Sequence, residues 1–201
     1  MDKKNTNMGT FFKEIKEKII GAVKDDFPKI KEELGEEKPY AVAFVTDSDC
    51  ITLLLWVNTY EFLEKTDAEY AEDGDDYTTK WNPDEWGYLD ENSQFVKISD
   101  ELFDKKRSVI DHMENQTDNL SNDELGNLID DSGFTRLFFE TVISAFQELI
   151  QSNVFGFDHE EITYFITMND DERAVEIENN SAKVLNSKKV YEEFLKRKTY
   201  Y

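Results

Sequence analysis

Two short runs, Tyr40–Thr46 and Ile51–Val57, constrain this chain more than any other feature, because both are rich in β-branched and aromatic residues and neither shows a polar face. A strand that is apolar on both sides has to be covered on both sides, so these two belong in the interior of a layered fold. The four residues between them, Asp47-Ser48-Asp49-Cys50, are turn formers, and the whole reads as a β-hairpin.

The cover has to come from helices elsewhere in the sequence. Phe12, Ile15, Ile19, Val23, Phe27, Ile30 and Leu34 recur three or four residues apart and predict an amphipathic helix over about 11–34. Pro28 is expected to kink that helix or split it after Asp26, and Gly35 to end it. Phe134, Leu137, Phe138, Val142, Ile143, Phe146, Leu149 and Ile150 predict a second helix, over about 134–153, whose apolar surface is too broad for a solvent-facing stripe. This is the expected core helix, with Gly156 after it. Ile162, Tyr164, Ile166 and Met168 alternate and predict a third strand over 162–168.

Shorter signals fill the gaps. Asn58 with Glu61 predicts a capped helix from about Thr59 to Ala71, and Asn82-Pro83-Asp84-Glu85 a brief helix start stopped by Gly87. Gln94–Ile98 reads as a short strand before a helix opened by Ser99 and ending near Met113, and Ser121 with Glu124 forms a further capping box. Two helices over about 171–198 close the chain, the second from Lys188 with Ser187 as its cap. The expected fold is therefore α+β: a single domain over 1–201, with an antiparallel sheet whose centre is the hairpin, packed by several helices.

Composition supports a packed core, with 39% hydrophobic and 13% aromatic residues despite 34% charged ones. No apolar run approaches the roughly 20 residues that a membrane helix needs, so no membrane association is expected. Met1–Thr10 holds no apolar core or small-residue cleavage site, and the lone Cys50 excludes an internal disulfide; a reducing cytoplasm is the expected compartment. The net charge of −22 is unevenly spread. Residues 1–38 carry 9 bases and 9 acids and residues 183–201 carry 6 and 2, which leaves 8 bases against 34 acids between 39 and 182. Nucleic-acid binding is disfavoured by that balance, while a basic protein partner, a cation or plain solubility fits it. Residues 72–77 and 114–124, charged and without apolar anchors, are expected to be the most mobile.

Signs of catalysis are scarce. With Cys50, His112 and His159 as the only Cys and His residues, no zinc spacing exists. Asp73–Asp84 only superficially resembles a calcium loop, having Thr78 where the sixth position needs Gly and Asp84 where the twelfth needs Glu. No nucleophile elbow, phosphate loop or dinucleotide glycine pattern occurs, and no cofactor is expected. Cys50, following acids in the turn, reads as structural. Asp47 and Asp49 could serve acid–base chemistry or a divalent cation, but Asp also hydrogen-bonds backbone amides in turns, and that reading is favoured. The most unusual stretch is Tyr77–Tyr88, with Trp81 and Trp86 around a capped turn and Asp73, Asp75 and Asp76 just before it. Aromatics edged by acids are what a surface gripping a basic partner would present, although at least one of the tryptophans is expected in the core.

Several of these segments together resemble a known family. The Tyr40–Asp47 strand and turn, Asn58-Thr59, the Lys80-Trp81-Asn82-Pro83-Asp84-Glu85-Trp86 turn and the closing Ser181–Asn186 are similar to a bacterial domain of unknown function, family 4303, over about residues 10–195. The acidic stretch 111–131, with seven acids and no Lys or Arg, has no match in that family pattern. The resemblance carries no catalytic residue. It implies a cytoplasmic protein from toxin–immunity gene neighbourhoods.

The leading expectation is thus an acidic binding protein of immunity or inhibitor type that covers a basic surface such as a toxin's, with Asp47, Asp49, Asp73, Asp75, Asp76, Trp81 and Trp86 as its partner-binding residues. The alternative is an enzyme or small-ligand protein using Asp47, Asp49 and the Trp81–Trp86 turn. A homodimeric scaffold is the third.

Overall fold

A computed structural model describes residues 8–72, 78–89, 94–114, 133–169 and 171–198. Its elements run α1 (Met8–Leu34), β1 (Pro39–Thr46), β2 (Leu54–Thr59), α2 (Tyr60–Glu72), a 3-10 turn (Pro83–Glu85), α3 (Phe95–Glu114), α4 (Phe134–Gln151), β3 (Thr163–Met168), α5 (Ala174–Leu185) and α6 (Lys188–Phe194). The fold is α+β. The expected mobile stretches at 72–77 and 114–124, save Glu72 and Glu114, and the Ser121–Glu124 capping box lie outside the described residues.

The sheet departs from the expected antiparallel one. Its strand order is β2-β1-β3, with β1 antiparallel to β2 but parallel to β3, so the sheet is mixed and β1 alone is central. A hairpin reverses direction within a few residues and ends β2 beside the start of β1, whereas the long connection from β2 carries the chain to the other edge of β1, where β3 starts at that same end. Every residue from Tyr40 to Thr46 is buried, as expected of strands without a polar face.

The two faces of the sheet hold different cores. Val42 and Phe44 of β1, Leu55 and Val57 of β2 and Tyr164, Ile166 and Met168 of β3 pack with α1 and α4. Phe44 meets Phe146 at 4.7 Å between ring centres and Phe95 at 5.6 Å. On the other face Ala41, Ala43 and Val45 are small, and Phe165, Trp86, Leu63, Ala182 and Phe194 close over them.

Local structure corrects several sequence expectations. α1 is continuous through Pro28. Both Pro28 and Lys24, whose carbonyl loses its partner, are exposed, so the missing bond falls on the solvent side, where helical bonds are weakest and water can replace it. Gln94–Ile98 is no strand, since α3 already begins at Phe95. β2 is shifted to Leu54–Thr59, because Ile51–Leu53 still belong to the turn region. Asn58 is therefore a buried strand residue rather than a cap, and Thr59 takes the role, its hydroxyl accepting the amide of Phe62 at 3.0 Å. The start at Asn82 yields one 3-10 turn without a side-chain cap. Ser187 does cap α6, accepting from the Val190 amide.

The free edge of β3 explains one of the family-like motifs. Asn186 accepts the Tyr164 amide at 2.8 Å and donates to the Tyr164 carbonyl at 2.6 Å, while Ser181 accepts the Ile166 amide at 2.9 Å. Side chains of α5 thus take the place of another strand and satisfy groups that would otherwise template edge pairing. Asn186→Ala should lower stability by about 1–3 kcal/mol, the cost of leaving two buried backbone groups unpaired. An unchanged urea midpoint would show that this side chain is not what closes the edge.

Candidate functional site

The hairpin tip, where two candidate acids lie, is fully engaged in holding itself. Asp47 accepts the amides of Asp49 at 2.8 Å and Ile51 at 3.3 Å, the geometry of an Asx turn. The Lys106 ammonium, buried on α3, reaches the Asp49 carbonyl at 2.6 Å and its carboxylate at 2.8 Å. Arg173, fixed by Asp171, also points at the Ser48 carbonyl. Among the described residues no three His, Cys, Asp or Glu side chains gather as metal ligands.

Cys50 sits in this turn with φ of 56° and its side chain fully buried. Burial pushes its thiol up to about 12, with Asp47 adding to the rise and Lys106 opposing it. A neutral thiol is a poor nucleophile. Native protein at pH 8 should therefore resist iodoacetamide and label fully once unfolded in urea; rapid native labelling would contradict the buried assignment.

The concave site lies elsewhere, at the end of the sheet where β1 begins. The cleft has a volume of about 150 Å³, and Tyr40, Tyr60, Trp81 and Phe194 form its aromatic wall. Tyr40 reaches it through an irregularity in the ladder: Pro39 pairs with Thr59 and Ala41 with Asn58, leaving Tyr40 as the extra residue of a bulge. Strict alternation would aim Tyr40 and Ala41 to opposite faces, yet both pack in the same cluster, so the bulge has re-aimed the tyrosine. Its hydroxyl donates to the Lys80 carbonyl at 2.7 Å and accepts from Asn58 Nδ2 at 3.0 Å, and burial raises it far above an ordinary phenol.

Trp81 is held edge-on to Phe194 at 5.0 Å and to Tyr40 at 5.8 Å, partly exposed, while Trp86 is buried behind it against Phe165 and Tyr40. Of the two tryptophans, only the first lines the cleft. Gly87 lets the turn approach α2, since a Cβ there would lie 2.5 Å from the Phe62 ring. Asp67 of α2 accepts the Thr78 hydroxyl at 2.8 Å and the Thr79 amide at 2.8 Å, which sets the chain direction into Lys80.

Charged groups form the rim. Glu160, Glu161, Glu193, Lys80 and Lys189 all line the cleft. Glu161 pairs outward with Lys38 and Glu193 with Lys196, whereas Glu160 accepts from the Ser187 hydroxyl. The Lys80 ammonium lies 5.2 Å from the Trp81 ring centre, 5.6 Å from Tyr40 and 5.8 Å from Tyr60. Three ring faces at that range form a cation–π site.

The Phe194 wall is anchored from below. Arg197 stacks 3.8 Å over the Phe194 ring and donates to Glu178 at 2.7 Å, with both charged side chains 2% exposed. Burial raises the Glu178 carboxyl above its ordinary value, and the Thr167 hydroxyl and Arg197 pull it back. Arg197→Met would strand a buried carboxylate and should cost about 3–5 kcal/mol at neutral pH. Without Arg197 the Glu178 carboxyl would be raised further, so the deficit should shrink as pH falls from neutral towards the ordinary carboxylate value, the shrinkage being complete there. A deficit constant from pH 7 to pH 4 would refute this account.

Of the sequence-nominated site residues, then, Trp81 lines the cleft, Trp86 supports it, and Asp47 and Asp49 are not among the lining residues. Asp73, Asp75 and Asp76 lie outside the described residues. Tyr40, Tyr60, Lys80, Glu160, Glu193 and Phe194 were missed. Hairpin register could have flagged the two tyrosines, which flank the paired ends of β1 and β2, but nothing local marks Glu160 or Phe194.

Fold and site define an α+β domain with a mixed three-stranded sheet and an aromatic cleft, without a recognisable catalytic constellation among the described residues. The chain belongs to the family described as "Domain of unknown function (DUF4303)", whose model matches residues 16–187. No curated protein and no solved structure matches it. Among the described residues no helix is long and apolar enough to cross a membrane.

Proposed function

We propose that this protein is a cytoplasmic binding protein whose aromatic cleft and neighbouring acidic helix dock a basic protein partner, in the manner of an immunity or inhibitor protein. The observation that carries the reading is the juxtaposition of Trp81 and Tyr60, open at the cleft, with the outer face of α2, where Glu61, Glu64, Glu69 and Glu72 are all exposed and Lys65 is the one base. Partly exposed aromatics supply anchoring energy, and a belt of like charge speeds the approach of an oppositely charged surface. The net charge of −22 extends that attraction over the whole molecule. Such a protein needs no reaction of its own. Neutralising a toxin by covering its basic substrate groove requires only fast, tight association.

The test has two stages. Immobilised full-length protein should retain a basic protein from lysate of its own source at low salt and release it as salt rises; if none is retained, or if a Trp81→Ala column retains the same proteins as firmly, the reading fails. With the purified partner, Glu64→Gln combined with Glu69→Gln should slow association while leaving dissociation nearly unchanged. Trp81→Ala should instead speed dissociation, with a loss of about 2 kcal/mol or more.

A further inference from the structure

Lys80 brings to the cleft a chemistry that the docking reading leaves unused. The residue is partly buried, and no carboxylate pairs with its ammonium among the described residues, although the chain has 45 acids to 23 bases. What holds it is the aromatic wall of Trp81, Tyr40 and Tyr60. Its backbone, by contrast, is pinned at both polar groups: the carbonyl by the Tyr40 hydroxyl at 2.7 Å and the amide by the Thr78 hydroxyl at 3.3 Å. The side chain can therefore swing out by rotation about its own bonds, with no rearrangement of the turn.

We propose that the cleft is a receptor for a single alkylammonium group, that Lys80 is its built-in occupant, and that a lysine side chain from a basic partner takes its place on binding. This rests on the docking reading and names the group that enters. Three observations support it. The rings already accommodate one ammonium at 5.2–5.8 Å, so the cage has the dimensions for that charge. The volume of about 150 Å³ suits one side chain and falls well short of the roughly 300–1,000 Å³ that encloses a cofactor-sized molecule. Ring faces are negative and the rim carries three glutamates to two lysines, so an anion would meet repulsion from both. A displaced Lys80 ammonium can turn towards Glu160, the rim glutamate without a lysine partner among the described ion pairs.

An occupied cage makes an unusual prediction, that deleting a lysine improves binding of a cation. Choline serves as the probe on the full-length protein, with its uncharged carbon analogue 3,3-dimethylbutan-1-ol as control and inorganic phosphate as the anion, all followed through Trp fluorescence and aromatic NMR shifts. Wild-type protein should bind choline weakly. Lys80→Met and Lys80→Gln should each tighten it roughly tenfold or more, because a tethered competitor acts at an effective concentration on the order of millimolar. The alcohol should bind more weakly than choline throughout, and adding Tyr60→Ala, a change at a residue already 38% exposed, should erase the gain while circular dichroism stays unchanged. Choline binding that is unchanged or weakened by both Lys80 variants would overturn the proposal. So would equal binding of the alcohol, or phosphate binding that the variants abolish. Since no protein partner enters these titrations, their failure alongside a Trp81-dependent partner would remove the lysine cage and leave the docking reading standing.

Discussion

Everything in this structure depends on β1 being buried on both faces and paired on both edges. Tyr40–Thr46 has no exposed side chain, β2 and β3 take its two rows of backbone groups, and two separate cores form against its alternate residues. A strand placed in that way cannot shift by one residue, since a slip would drive Phe44 into the space above Ala41 and Ala43. The alternation of small and large residues is what lets α1 and α4 approach one face while the tryptophan turn, α5 and α6 close the other.

Around that strand the chain spends side-chain hydrogen bonds where a larger sheet would use strands. Asn186 and Ser181 finish the edge of β3, and on the far side the Val57 amide donates to the Tyr88 carbonyl in an isolated bridge. The same economy governs the hairpin tip, where Asp47 folds the turn and Lys106 and Arg173 grip its carbonyls. Asp47, Asp49 and Asn186, which look chemically available in the sequence, are thereby engaged in structure. The exception is the cleft, where a bulged tyrosine, a partly exposed tryptophan and an ammonium without a carboxylate partner among the described residues meet.

Charge works on two scales in this molecule. At long range the chain is strongly acidic and attracts basic surfaces. At the cleft three glutamates and two lysines surround aromatic faces, and two of the glutamates pair with lysines outside the lining, Lys38 and Lys196. In the proposed docking, steering and anchoring fall to different groups: the glutamates of α2 set the approach, and the rings set what can stay.

Sequence patterning by itself determined the elements whose stability is local or whose burial leaves a periodic trace: the amphipathic α1, the broad apolar α4, the two-faced β1, the alternating β3 and the Ser187 cap. It also nominated Trp81 and Trp86, because two tryptophans beside a proline turn are conspicuous in any context. Tertiary structure decided what depends on long-range geometry. The parallel pairing of β3 comes from the chain passing to the far edge of β1 before β3 starts, a path that periodicity does not encode. The continuity of α1 through Pro28 depends on that residue facing solvent, and the shift of β2 to Leu54–Thr59 on its ladder with β1. The cleft itself joins Tyr40, Tyr60, Lys80, Glu160 and Phe194, residues from five separate stretches of chain, and no local signal can report a meeting that only the finished packing of the sheet, the turn and α6 brings about.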